Sequence, residues 1–132
     1  MTITKGIVLF GHGSRNPEWA KPFHAIRDAM LSKVPAVPVA LGFLEAMRPT
    51  LDEAIDSLVA GGVTAIDIVP IFLATGSHIT KDLPQLAAIA MDRHPGIVIT
   101  IAEPAGESPS VICAMADYAL GPAINPEHNA GS

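Results

Sequence analysis

The chain has 132 residues and a formal net charge of −5, and it is 49% hydrophobic but only 5% aromatic, with a mean hydropathy of +0.40. That length fits one domain, large enough to bury a core without staples. The sequence has no basic block and no arginine–aromatic interleaving, which argues against nucleic acid as a partner, since its phosphates need clustered Lys and Arg. No apolar run approaches the ~20 residues of a membrane span, and no signal peptide is visible around Lys5. A single cysteine, Cys113, excludes an internal disulfide and fits a reducing compartment. The expectation is a cytoplasmic protein with no membrane partner.

In chain order, Gly6–Phe10 reads as a first buried strand, followed by the turn Gly11-His12-Gly13-Ser14-Arg15. Asn16-Pro17 looks like an N-cap with proline at the first helical position. Trp19, Phe23, Ile26 and Met30 then recur at helical spacing. Pro22 falls inside that pattern and predicts either a kink or a helix that begins near Lys21. Val37–Leu44 is the second strand and ends in Glu45. Pro49-Thr50 opens a second helix through Leu51, Ile55, Leu58 and Val59, and Gly61-Gly62 closes it.

Ala65–Leu73 is the third strand, leading into the turn Ala74-Thr75-Gly76-Ser77-His78. Leu83, Leu86 and Ile89 mark a third helix, with Pro84 expected in its first turn and His94-Pro95-Gly96 at its end. Ile97–Ile101 is the fourth strand, and Val111, Ile112 and Met115 mark a last helix. Residues 1–120 are read as one domain. The Gly/Pro/Asn-rich stretch Gly121–Ser132, which contains His128, is read as a disordered tail.

The strands are continuous branched runs rather than polar–apolar alternations, the mark of strands buried on both faces. Alternation of strand and helix predicts a single three-layer α/β domain with a four-stranded parallel sheet in the order 2-1-3-4, joined by right-handed crossovers. Strands 1 and 3 then flank the topological switch point, which places the His12 and His78 turns side by side on the carboxyl rim.

Two imidazoles converging there point to metal or acid–base chemistry. Glu45 should project from the same rim, completing a nitrogen/oxygen set suited to first-row divalent ions. Arg15, Arg48 and Lys81 sit near this rim, whereas His24 and His94 fall in helical segments expected to lie away from it. Gly-x-Ser-x-Gly is absent, no Walker lysine follows the glycines, and the third glycine of a dinucleotide fingerprint is missing. A metal-binding or metallochaperone protein without turnover, and a hydrolase-like or phosphate-handling enzyme using Ser14 or Ser77, stand as alternatives.

Phe10-Gly11-His12-Gly13-Ser14-Arg15, Phe43-Leu44-Glu45 with Pro49-Thr50-Leu51, and Val69-Pro70-Ile71-Phe72-Leu73 with Gly76-Ser77-His78 and Asp82-Leu83-Pro84 together resemble the sirohydrochlorin chelatases. These are class II tetrapyrrole chelatases, here in their short single-domain form. The likeness runs from Gly6 to about Leu120, with Pro104-Ala105-Gly106 as a weaker turn. It implies a lyase that inserts Co²⁺, or Fe²⁺ or Ni²⁺ in relatives, into a sirohydrochlorin-type macrocycle without ATP, for cobalamin or sirohaem. It implies His12 and His78 as metal-binding and catalytic residues and Glu45 as a rim carboxylate beside them. The substrate's carboxylates would meet Ser14, Arg15, Ser77 and Lys81. The metal is substrate and no organic cofactor is expected. Longer relatives place the site between two domains, so the resemblance implies a homodimer.

Overall fold

The computed structural model describes residues 4–74 and 76–124; for Ser77, His78 and residues 122–124 it describes the backbone path alone. Four parallel strands, β1 (Lys5–Gly11), β2 (Val39–Phe43), β3 (Ala65–Pro70) and β4 (Val98–Ile101), form one sheet in the order β2-β1-β3-β4. Among the described residues four helices alternate with them: α1 (Lys21–Lys33), α2 (Leu51–Ala60), α3 (Ser77–Arg93) and α4 (Pro109–Ile124). Short 3-10 turns at Pro17–Ala20 and Ala105–Glu107 precede α1 and α4. Class and strand order match the expectation from sequence. No helix among the described residues is long and apolar enough to cross a membrane.

Successive residues of β1 face opposite sides of the sheet, and both sides are apolar. Val8 and Phe10 join Ile55, Ile66, Ile68 and Ala90 in the core beneath α2 and α3. Leu9 joins Phe23, Leu41 and Phe43 beneath α1. This two-sided burial is why the central strands read as unbroken hydrophobic runs.

Several boundaries differ from expectation. β3 stops at Pro70, which pairs with Phe10; Ile71 N–H still donates to the Phe10 carbonyl at 2.9 Å, and the chain then leaves the ladder while β1 continues to Gly11 against β2. Pro22 is absorbed without a kink, since it occupies the first turn of α1 after a separate 3-10 turn capped by Asn16. Pro84 does not lie in the first turn of α3. The helix starts at Ser77 with Gly76 as its cap, so Pro84 sits well inside it and removes the amide that would bond one turn back. The same early start puts Ser77 and His78 in the first helical turn rather than in a free loop.

α1 covers β1 and β2 on one face, and α2 and α3 cover the other. The three layers are complete over β1. On the α1 side, no described helix packs extensively on β3 or β4, because α4 leans chiefly on the Ala105–Glu107 turn. Val98 on that face is 59% exposed. Gly121, read as the start of the tail, has φ 68° inside α4, and the helical path continues to Ile124; residues 125–132, including His128, lie outside the described residues.

Candidate functional site on the carboxyl rim

The strand order reverses between β1 and its neighbours, so the chain leaves β1 toward α1 on one face and leaves β3 toward α3 on the other. A crevice opens at such a point in parallel sheets. The β1–α1 turn is built into the sheet rather than hung from it. Gly11 pairs with Phe43, Leu44 N–H donates to the Gly11 carbonyl at 2.9 Å, and Glu45 N–H donates to the His12 carbonyl at 3.1 Å. The ladder thus runs past the end of β2 and delivers His12 and Glu45 as neighbours. Their side chains meet across the rim, His12 Nε2 lying 3.6 Å from Glu45 Oε1. Both are solvent-facing, at 51% and 64% exposure, and open to an incoming ligand.

Two features missed from sequence hold this arrangement. Gly13 has φ +101°, and a Cβ there would sit 1.8 Å from the Glu45 carbonyl oxygen. Only glycine lets the two turns approach that closely. Below the turn, Trp19, Phe23 and Phe43 form an aromatic floor with ring centroids 5.0 to 5.9 Å apart. A Cβ on Gly11 would strike the Phe23 ring at 2.5 Å. A Gly-x-Gly turn beginning at a strand end was the available signal, but sequence cannot say what each glycine faces.

The β3–α3 connection is held from the other side. Gly106 N–H donates to the Phe72 carbonyl at 2.8 Å, and a Cβ on Gly106 would lie 2.1 Å from the Leu73 carbonyl oxygen. Phe72 packs edge-on against Phe10 at 5.8 Å. The weak Pro104-Ala105-Gly106 signal is therefore the clamp on the segment that leads to His78. The backbone brings His78 and Ser77 to the rim end of α3; their side chains lie outside the described residues. Among the described residues no group of three or more His, Cys, Asp or Glu gathers to hold an ion, so the described part of the candidate site is the His12–Glu45 pair.

The remaining expected residues are distributed as follows. Ser14 Oγ accepts from Asn16 N–H at 3.1 Å, leaving its own proton for another acceptor. Arg15 and Lys81 are exposed. Arg48 is committed to Glu53: its guanidinium binds both carboxylate oxygens, one of them from Nε at 3.1 Å. Glu53 also accepts from Thr50 N–H at 2.9 Å and closes a capping box on α2. The Arg48 hydrogen bond, followed by that of Thr50, holds the Glu53 carboxyl down at about 2. Sequence reading takes Pro49-Thr50 as the helix start and misses the spacing Thr50-x-x-Glu53 as its signal. His94 ends α3 and contacts Asp56 at 2.7 Å, far from the rim. His24 lies in the first turn of α1 and is exposed.

A parallel sheet with a histidine–carboxylate pair at its switch point defines an α/β protein equipped for metal or proton chemistry at the rim. Comparison with known proteins narrows the class. Residues 6–119 match the family model described as CbiX, and the chain belongs to that family of short class II chelatases. It is 43% identical over 107 residues to a sirohydrochlorin cobaltochelatase of Saccharolobus solfataricus, covering 76% of this chain and 82% of that protein. A sirohydrochlorin cobaltochelatase of Methanosarcina barkeri is 44% identical over 89 residues, 67% of this chain and 68% of the relative. Among solved structures, a putative cobalamin biosynthesis CbiX protein from Marinobacter aquaeolei superposes with TM-score 0.75 at 30% identity, covering 87% of this chain and 93% of that one. The cobalt complex of the Bacillus subtilis sirohydrochlorin chelatase SirB gives TM-score 0.73 at 31% identity, covering 86% of this chain but only 49% of SirB.

Proposed function

We propose that this protein inserts a divalent metal ion, with cobalt the leading candidate, into sirohydrochlorin. The observation that carries the reading is the His12–Glu45 pair, fixed by the sheet on the rim of a chain that belongs to the CbiX family. Insertion replaces two pyrrole N–H protons by one M²⁺ and releases two H⁺. His12 and His78, with Glu45, would present the ion through exchangeable ligands and take up the protons, a different lone pair serving each task. Ser14, Arg15, Ser77 and Lys81 would orient the substrate's carboxylates through hydrogen bonds and charge. Arg48 is a poor choice for that role, because Glu53 already occupies its fork.

The openness of the site favours a homodimer. His12 and Glu45 face solvent at 51% and 64% exposure, so one copy does not wall in a macrocycle. A second copy would supply the missing wall. The free, exposed Cys113 fits a reducing cytoplasm.

Anaerobic incubation with sirohydrochlorin and Co²⁺, Fe²⁺ or Ni²⁺ in turn, followed by absorption spectroscopy, tests the reading. His12→Ala and His78→Ala should each slow insertion about 10²–10⁴-fold, the usual worth of a proton acceptor, with melting temperatures almost unchanged. His94→Ala is the control for histidine loss and should insert metal normally. Metal binding without any spectral change of the macrocycle, or full turnover in both rim variants, would defeat the assignment.

A further inference from the structure

Trp19 is the chain's single tryptophan, and it stands on the 3-10 turn Pro17–Ala20, between the His12 turn and α1. Local bonds lock that turn. Asn16 Oδ1 accepts from Glu18 N–H at 3.0 Å, Trp19 N–H donates to the Asn16 carbonyl at 3.0 Å, and Asn16 N–H is held by Ser14 Oγ. The indole lies tilted on Phe23 at 5.0 Å and meets Phe43 edge-on at 5.9 Å. Those two rings are buried, at 4% and 1% exposure, whereas Trp19 is 37% exposed. The aromatic floor thus shows one ring at the surface.

Single exposed apolar side chains are ordinary. Trp19 differs in its place and its rigidity. A Cβ on Gly11 would come within 3.2 Å of Cη2, at the six-membered end of the indole, and the next residue is His12. The ring edge therefore reaches within one residue of the His12–Glu45 pair. Only two torsions set an indole, and Phe23 and Phe43 already restrain this one, so little side-chain entropy is left to lose on contact. Glu45, Ser14 and Arg15 are polar. They suit the carboxylate-bearing edge of a macrocycle, not its conjugated face.

We propose that the Trp19 indole is the platform on which one face of the sirohydrochlorin ring lies while the ring's centre is offered to the His12–Glu45 pair. The proposal rests on the metal-insertion reading above and assigns the apolar half of substrate recognition. A tetrapyrrole is broader than the reach from His12 to its neighbour, so a ring centred on His12 spans the distance to the indole. Offset stacking matches one π-face to another. Planar bases stacked on an aromatic residue lose affinity about 5–150-fold when it is cut back to alanine. With its face so held, the ring keeps its carboxylate edge for Ser14 and Arg15. Such a contact acts on ground state and transition state alike, so it governs affinity for the ring rather than the rate of proton removal.

Anaerobic titration of the full chain with metal-free sirohydrochlorin, followed through the macrocycle's absorption, tests this. Trp19→Leu should raise Kd about 5–150-fold, and Trp19→Phe, which keeps a π-face, should recover most of the affinity. The shift of the absorption bands on binding should persist in the Phe variant and shrink in the Leu variant. In insertion assays the loss should fall on KM, whereas His12→Ala lowers kcat. A second measurement needs no variant. Trp19 of the unaltered protein should react with 2-hydroxy-5-nitrobenzyl bromide, read by peptide mass, and bound sirohydrochlorin should protect it. Equal affinity in the Leu variant and the unaltered protein would overturn the platform and leave metal insertion standing. A loss confined to kcat would do the same, by assigning Trp19 to the support of the His12 turn. So would an indole that reacts equally with the ring bound, or one that never reacts because another surface covers it. An unaltered protein that binds no sirohydrochlorin would defeat the metal-insertion reading and the platform together.

Discussion

Gly13 shows how a single hydrogen atom in place of a side chain fixes the candidate site. Its positive φ and its contact with the Glu45 carbonyl act together, whereas Gly62 has φ +97° with nothing within 4 Å. Gly13→Ala should therefore cost about 2–4 kcal/mol, strain plus forced separation of the two turns. Gly62→Ala should cost only about 1–2 kcal/mol from its backbone conformation. Urea titrations of both variants check the difference, and the Gly13 variant should also lose insertion activity because Glu45 is pushed from His12. Equal destabilisation by the two alanines would show that the close approach carries no energy of its own.

At the scale of the element, α2 links the rim to acid stability. Glu53 ties the helix cap to Arg48, and its folded pKa of about 2 lies below the ordinary carboxylate value. A group lowered on folding contributes stability that is complete above its unfolded pKa and is lost as pH falls through the folded one. The loss should thus spread from about pH 4.5 downward to about pH 2. Glu53→Gln keeps an oxygen for Thr50 N–H but removes the titrating charge. Its melting temperature should fall less steeply over that range than that of the unaltered protein. Parallel curves for the two would assign the acid loss to other carboxylates.

Helix ends were the most legible elements, for the same local reason. Asn16-Pro17, Pro49-Thr50 and Gly61-Gly62 act through neighbours a few residues away, so sequence alone identifies them. Pro84 misled because proline is read as a starting signal. The start of α3 is instead set at Gly76, in the connection that follows the end of β3 at Pro70. Where that strand leaves the ladder depends on pairing partners distant in the chain and is invisible in the local sequence.

For the molecule as a whole, strand order and the sharing of one rim by the His12 and His78 segments followed from alternation and crossover handedness. The coverage of the sheet did not. Periodicity shows that α4 has apolar residues, but not whether its own strands or another surface receives them. The contacts of Gly13 and Gly106 escaped for a related reason: a glycine's value lies in the distant backbone it admits, Glu45 in one case and Leu73 in the other.

The bond from the Glu45 amide to the His12 carbonyl also determines when the entropy of assembling the pair is spent. Fixing each backbone residue costs about 1–2 kcal/mol, and for this pair that ordering is completed as β1 and β2 zip together. Under the proposed function, a metal ion arriving at this pair would have only the rotamers of its two exposed side chains left to restrict there. The site is thus preorganised in its main chain and adaptable in its donors. This division suits an ion that must be grasped, turned toward a ring and released within one cycle.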